Sequence, residues 1–307
     1  MKGTVLVPLD GSESAERALG LAIAVAARAD ARLRLVHVHV PVVRHLAAVP
    51  LNAYRLEFQS IDSAEAYLSS LLDRLQSSAA GVITADVMRG NVIETLVHEI
   101  RKRDVALVVM TTHGTGGLRG ALMGSVAMEL VRECRSPVLV AGPATATSFT
   151  QDPDDPLQDI EIANILIALD GTEPSARIVP HAARLARLFG ARLTLVTVMP
   201  EGRPGTSPPG TGAAQSPTVR EAELALVLDR AAEQLIQTGV PANRRILRAD
   251  DVAGAILRTA AEEDADVIAL TTHARTPLAG LLLGSVAGAT LAASRVPVLL
   301  YRPAPDD

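Results

Sequence analysis

The amino-acid sequence repeats itself at a fixed offset of 160 residues. Leu9-Asp10-Gly11 returns as Leu169-Asp170-Gly171, Ala31-Arg32-Leu33 as Ala191-Arg192-Leu193, and Thr111-Thr112-His113 as Thr271-Thr272-His273. Gly124-Ser125-Val126-Ala127 returns as Gly284-Ser285-Val286-Ala287, and Pro137-Val138-Leu139 as Pro297-Val298-Leu299. Blocks held in one register over such a span require two homologous folding units, each of about 140 residues and so of ordinary domain size. The expected division is a first domain over 1–142, a linker over 143–160 and a second domain over 161–303. Repetition also supplies an internal comparison. What folding requires must recur, whereas a group that serves a ligand in one half can be missing from the other.

Hydrophobic residues make up 48% of the chain, with no tryptophan, three phenylalanines and three tyrosines, so aliphatic side chains must build both cores. A formal charge of -5 and the scarcity of aromatic platforms argue against nucleic acid as a partner. Every apolar run is broken before it reaches membrane-spanning length. The opening MKGTVLVPLDG lacks the apolar core and cleavage site of a signal peptide. Cys134 stands alone, with no thiol to pair with and no thiolate cluster for zinc. The expectation is a soluble cytoplasmic protein with neither nucleic-acid nor membrane partner.

Along the first half, Thr4 to Leu9 reads as a strand. Ser12 offers a helix cap, and Ala15, Ala18, Leu19, Ala22, Ile23 and Ala26 recur at helical spacing. Strands are expected at 33–40, 82–88, 105–110 and 137–141, with helices at 61–80, 92–103 and 125–134. The second half repeats the order, with strands near 163–169, 192–199, 243–249, 266–271 and 297–301. Its helices are expected near 174–189, 219–238, 252–263 and 284–294. Alternation of this kind predicts an α/β fold of two tandem three-layer domains, each with a five-stranded parallel sheet. Pro41 to Ser60 is expected to be a loop that packs over a pocket or a neighbouring surface, and Glu201 to Pro217 a mobile one.

The chemically distinctive stretch follows the fourth strand. Thr111-Thr112-His113-Gly114-Thr115-Gly116-Gly117 leads through Leu118–Met123 to Gly124-Ser125, where a helix begins. Backbone N–H groups of such a turn and of a helix N-terminus converge on negative charge, which suits phosphate. No lysine precedes Ser125 as in the phosphate loop GxxxxGK[ST], and the position after the fourth strand differs from the dinucleotide fingerprint. From chemistry alone, glycines used for turns and close helix packing explain the stretch equally well. Asp10 and Asp170 have a similar double reading, as ligand contacts or as partners of loop amides. His113 and His273 read as structural hydrogen bonders, and His37 and His39 lack a third partner at metal-ligand spacing. Ser125 has no base beside it to make a nucleophile.

The pattern of Gly114, nine intervening residues, Gly124 and Ser125 after the fourth strand, with a first strand ending in Asp10 and a second ending His37-Val38, resembles the universal stress protein family. The resemblance covers nearly the whole chain as a tandem pair of family domains. It implies ATP in the cleft at the carboxyl edge of the strands, with Asp10 and Val38 at the nucleoside, Gly114, Gly124 and Ser125 at the phosphates, and Thr111 beside the pocket. Mg²⁺ is expected to arrive with the phosphates. Thr111 stands where the family has its first glycine. In the second half Asp170, Val198, Gly284 and Ser285 keep their places and Thr271 again replaces the first glycine, but Ala274 replaces Gly114. Arg89-Gly90-Asn91 aligns by offset with Ala249-Asp250-Asp251, which sets two carboxylates at the phosphate edge. Tighter binding in the first half is therefore expected.

The family also implies pairing of the two domains within the chain, while homodimerisation of the whole chain stays open. Three classes of function remain: a nucleotide-dependent regulatory or sensor module read by a regulatory protein partner, a slow ATPase, and an interaction protein with decayed sites. The first accounts for the retained glycines. No oriented catalytic group is visible, so an efficient enzyme is not expected and no catalytic residue is assigned.

Overall fold

The computed structural model describes residues 3–41, 51–76, 81–112, 124–145, 160–201, 217–272 and 283–303. They fall in two compact units, Met1–Ile160 and Glu161–Asp307. The first unit runs β1 (Thr4–Leu9), α1 (Glu13–Glu16), α2 (Leu19–Ala29), β2 (Arg32–His39), α3 (Leu51–Gln76), β3 (Ile83–Arg89), α4 (Val92–Lys102), β4 (Val105–Thr111), α5 (Ser125–Glu133) and β5 (Val138–Ala141). Its strands lie in the order β3-β2-β1-β4-β5, with every neighbouring pair parallel.

The second unit repeats this with β6 (Asn164–Leu169), α6 (Glu173–Ala176), α7 (Val179–Phe189), β7 (Arg192–Met199), α8 (Pro217–Gln237), β8 (Ala242–Arg248), α9 (Val252–Glu262), β9 (Val267–Thr271), α10 (Ser285–Ala293) and β10 (Val298–Tyr301). Its order is β8-β7-β6-β9-β10, again with parallel neighbours. The central strands are apolar on both faces because helices cover both: Val5, Leu6 and Val7 in β1, and Leu166 and Ile167 in β6, are wholly buried. Leu68 and Leu75 of α3 recur as Leu228 and Leu235 of α8, all four buried, so one helix face is kept across the repeat.

Two expectations are corrected. The helix expected after each first strand is two helices, α1 with α2 and α6 with α7. The residue one place into the second segment is Gly20 in one half and Pro180 in the other, the two poorest helix formers, so neither sequence favours an unbroken helix there. The segment 51–60, expected to belong to a loop, is the start of α3. Of that expected loop, 42–50 lies outside the described residues.

Candidate functional site

The carboxyl ends of β1, β2 and β4 and the start of α5 form one edge of the first unit. Asp10 opens the loop after β1. Its Oδ1 accepts from the Ser12 amide at 3.1 Å and from Ser12 Oγ at 2.6 Å, and Ser12 Oγ accepts from the Ala15 amide at 3.1 Å, capping α1. The second unit is built alike. Asp170 Oδ1 accepts from the Thr172 amide at 2.9 Å and from Thr172 Oγ1 at 2.5 Å, and Thr172 Oγ1 accepts from the Ser175 amide at 3.3 Å. Gly11 and Gly171 have φ of 83° and 82°, a left-handed turn that explains why Asp-Gly recurs as a pair. Both aspartates thus satisfy loop groups, as one of the two sequence readings requires, and the same bonds fix where each carboxylate stands.

Register brings the other residues to the same edge. Leu9 pairs with His37, so Asp10 and Val38 leave adjacent strands at one level, and Leu169 pairs with Thr197, which does the same for Asp170 and Val198. Both valines are half-buried, and both aspartates are exposed. Thr111 ends β4 opposite Ala141, and Thr271 ends β9 opposite Tyr301. The Gly124 amide donates to the Thr112 carbonyl at 2.6 Å, which holds the start of α5 against the end of β4. Gly114, His113, Ala274 and His273 lie outside the described residues.

Helix starts separate structural from ligand-ready amides. Side chains cap α1 (Ser12), α4 (Asn91), α6 (Thr172) and α9 (Asp251). Helices α2 and α7 lack side-chain caps but follow directly on α1 and α6. Helices α5 and α10 begin after glycine with no side-chain cap, so their first-turn amides have no partner from the cap residue. The two glycines differ in conformation. Gly124 has φ −65° and ψ 149°, open to any residue, whereas Gly284 has φ 79° and ψ 143°, which only glycine adopts easily.

The loop after the third strand of each half corrects the alignment made from the offset. The Gly90 amide donates to the His39 carbonyl at 3.0 Å, and the Ala249 amide to the equivalent Met199 carbonyl at 2.9 Å, so Gly90 corresponds to Ala249. Asn91 and Asp251 both cap the next helix. Asp250 is therefore an added residue, and its Oδ1 accepts from the Glu201 amide at 3.2 Å. Both carboxylates after β8 have backbone partners, so they are not simply charges added against a phosphate.

A polar group that the sequence reading left unassembled sits beside Asp10. His37 and His39 share one face of β2, and Ser60, Tyr67 and Arg74 follow one another at intervals of seven along α3. Ser60 Oγ lies 3.4 Å from His39 Nδ1, and Arg74 pairs with Glu16 of α1 at 2.8 Å. Burial lowers the His37 pKa below its ordinary value, against the opposing pull of Asp10, with His39 lowering it further. Burial, with Glu16 and Asp10, raises that of the Tyr67 phenol. The heptad-spaced polar stripe on α3 was the available sequence signal. Among the described residues, no group of three or more His, Cys, Asp or Glu side chains is placed to hold a metal, and no helix is long and apolar enough to cross a membrane.

Comparison with known proteins matches the family model described as "Universal stress protein family" to residues 1–142 and again to 161–302. A universal stress protein of Mycobacterium tuberculosis is 31% identical over 199 residues, 65% of this chain and 62% of that relative, so the match spans less than two thirds of the relative's length. A universal stress protein of Mycolicibacterium smegmatis is 28% identical over 306 residues, 97% of each chain. The crystal structure of a universal stress protein from Archaeoglobus fulgidus shares the fold at a TM-score of 0.64 and 16% identity, covering 99% of this chain and 98% of its own.

Proposed function

Because the chain belongs to the universal stress protein family, we propose that it is a nucleotide-binding regulatory protein whose first half holds ATP at the carboxyl edge of its strands. The observation that carries this reading is that α5 starts beside the end of β4 with no side-chain cap, at the same edge as the fixed Asp10 carboxylate. First-turn amides of α5 and the Ser125 hydroxyl would donate to phosphate oxygens, favoured by the helix dipole. Asp10 would accept from ribose hydroxyls, Val38 would lie against the base, and Thr111 would line the pocket between them. Mg²⁺ would enter with the phosphates, supplying positive charge that these residues lack.

In the second half Asp170, Val198, Gly284 and Ser285 would form a weaker site. The role is that of a sensor: ATP occupancy would change a surface read by a regulatory protein. Multiple turnovers at an enzyme-like rate would overturn that role.

The test of placement is Gly124→Asp in the full chain. A carboxylate at the first turn of α5 would repel phosphate, so calorimetric titration with Mg-ATP is expected to show affinity lost by at least tenfold in a variant whose circular dichroism is unchanged. Unchanged affinity would refute the placement. Absence of binding by the wild-type chain would favour an interaction protein with decayed sites.

A further inference from the structure

We propose that His37 is a positioning residue of the first-half nucleotide site, which works only while this ring is neutral, and that the second half has no such proton linkage. The proposal rests on the reading of Asp10 as a nucleotide contact and adds its regulation.

The geometry is local and asymmetric. His37 pairs in register with Leu9, the residue before Asp10, and lies within electrostatic reach of the Asp10 carboxylate and of the Leu9 carbonyl. Its Nδ1 is covered and without a well-formed hydrogen bond, as is Nε2 of His39 two residues on. The charged and titratable groups that act on the ring are Asp10 from the loop after β1 and His39 from β2; the same Asp10 acts on Tyr67 of α3, which is also under the influence of Glu16 of α1 and Arg74 of α3. The Tyr67 hydroxyl is also covered and finds no well-formed hydrogen bond. A neutral ring fits this enclosure. A proton on the ring places a charge in a desolvated site, and the groups that favour it there are the Asp10 carboxylate and the Leu9 carbonyl. The imidazolium would then compete for the acceptor that the nucleotide's hydroxyls require, and would draw Asp10 from its bonds to Ser12. In the second half Thr197 takes the place of His37 and Met199 that of His39, so nothing there can titrate in this way.

Phosphate charge acts in the opposite sense, because an anion favours the imidazolium. The phosphates belong at α5 beside β4, whereas His37 is on β2, with β1 between them. Two strand spacings are about 10 Å, roughly a Debye length at physiological salt, so the neighbouring Asp10 carboxylate dominates. Nucleotide binding should therefore favour the neutral ring. Affinity should be full above the His37 midpoint and fall as pH drops through it.

The experiment is a proton NMR titration of the histidine rings in the full chain, without and with saturating Mg-ATP, with His37 assigned by H37Q. If H37Q does not fold, H37T, which copies the second half, serves instead. Mg-ATP is expected to lower the His37 midpoint by about one pH unit, equivalent by linkage to about tenfold weaker binding at acid pH. Calorimetry of wild type against H37T should show that extra acid loss in the wild type alone, which removes the protonation of ATP itself from the comparison. D10N without nucleotide should lower the His37 midpoint further. A midpoint that ATP leaves unchanged or raises overturns the proposal while the nucleotide reading stands, and so does a midpoint insensitive to D10N. If ATP does not bind at a pH where the ring is neutral, the nucleotide reading itself fails and the proposal falls with it.

Discussion

Single positions in the two halves look interchangeable in sequence and are not interchangeable in conformation. Gly124 and Gly284 precede the equivalent helices α5 and α10, yet only Gly284 has a positive φ. Gly284→Ala should cost about 1–3 kcal/mol of backbone strain, whereas Gly124→Ala should cost at most about 1 kcal/mol from N-cap preference. Urea denaturation of the two variants in the full chain checks this, and equal losses would contradict the difference in φ. His181 makes a second case at this scale. Its ring lies against Tyr301, centroids 4.2 Å apart, and burial, with Arg184, lowers its pKa to about 4. The folded ring stays neutral where the unfolded chain, near pKa 6.5, takes up a proton. The second unit is therefore fully stable with respect to this group above pH 6.5 and loses about 2–3 kcal/mol as pH falls from there to about 4. H181Q should flatten that part of the stability curve, and a curve parallel to the wild type would count against a neutral buried ring.

At the scale of elements, the two halves solve the contact between the second strand and the fourth helix with different chemistry. In the first unit Glu99 of α4, buried to 2% exposure, pairs with Arg34 of β2 at 3.2 Å and with Arg103 at 3.4 Å, while Arg34 also pairs with Asp86 of β3 at 3.1 Å. In the second unit the two inner positions are Thr194 and Thr259, both buried, and the outer pair is reversed in sign, with Arg245 of β8 on Glu263 at 2.8 Å. Removing one member of a buried pair strands the other charge. Glu99→Ala should thus cost about 3–5 kcal/mol, while R34T with E99T, copying the second half, should recover much of it. A double-mutant cycle by chemical denaturation reads the coupling, and additive losses would show that the pair is not energetically linked.

For the whole chain, the repeat sets up two sites that need not be equal. One tighter class of ATP site, removed by Gly124→Asp and retained in a variant altered at Ser285, is the expected calorimetric result. Two equal classes would defeat the asymmetry, and a tight class lost with Ser285 would reverse it. The grounds are narrower than the sequence alone suggested. Asp250 is an added loop residue bonded to the Glu201 amide, and Asp251 does the capping work of Asn91.

The sequence by itself determined the repeat, the order of the strands and their alternation with helices, and the family. It could do so because strand-length apolar runs, helical periodicity and the spacing from Gly114 to Ser125 are local properties that survive without knowledge of contacts. It also placed Asp10, Val38, Thr111, Gly124 and Ser125 at strand ends and a helix start, since parallel alternation sends those ends to one edge. Tertiary structure alone decided the rest. The one-residue shift that matches Gly90 with Ala249 is visible only through hydrogen bonding to His39 and Met199, because an offset that realigns by the next helix leaves no gap to count. The sign of φ at Gly124 and Gly284 depends on how each chain enters its helix. The action of Asp10 on both His37 and Tyr67 links residues far apart in sequence, and only the packing of α3 and β2 beside the loop after β1 brings them within its reach.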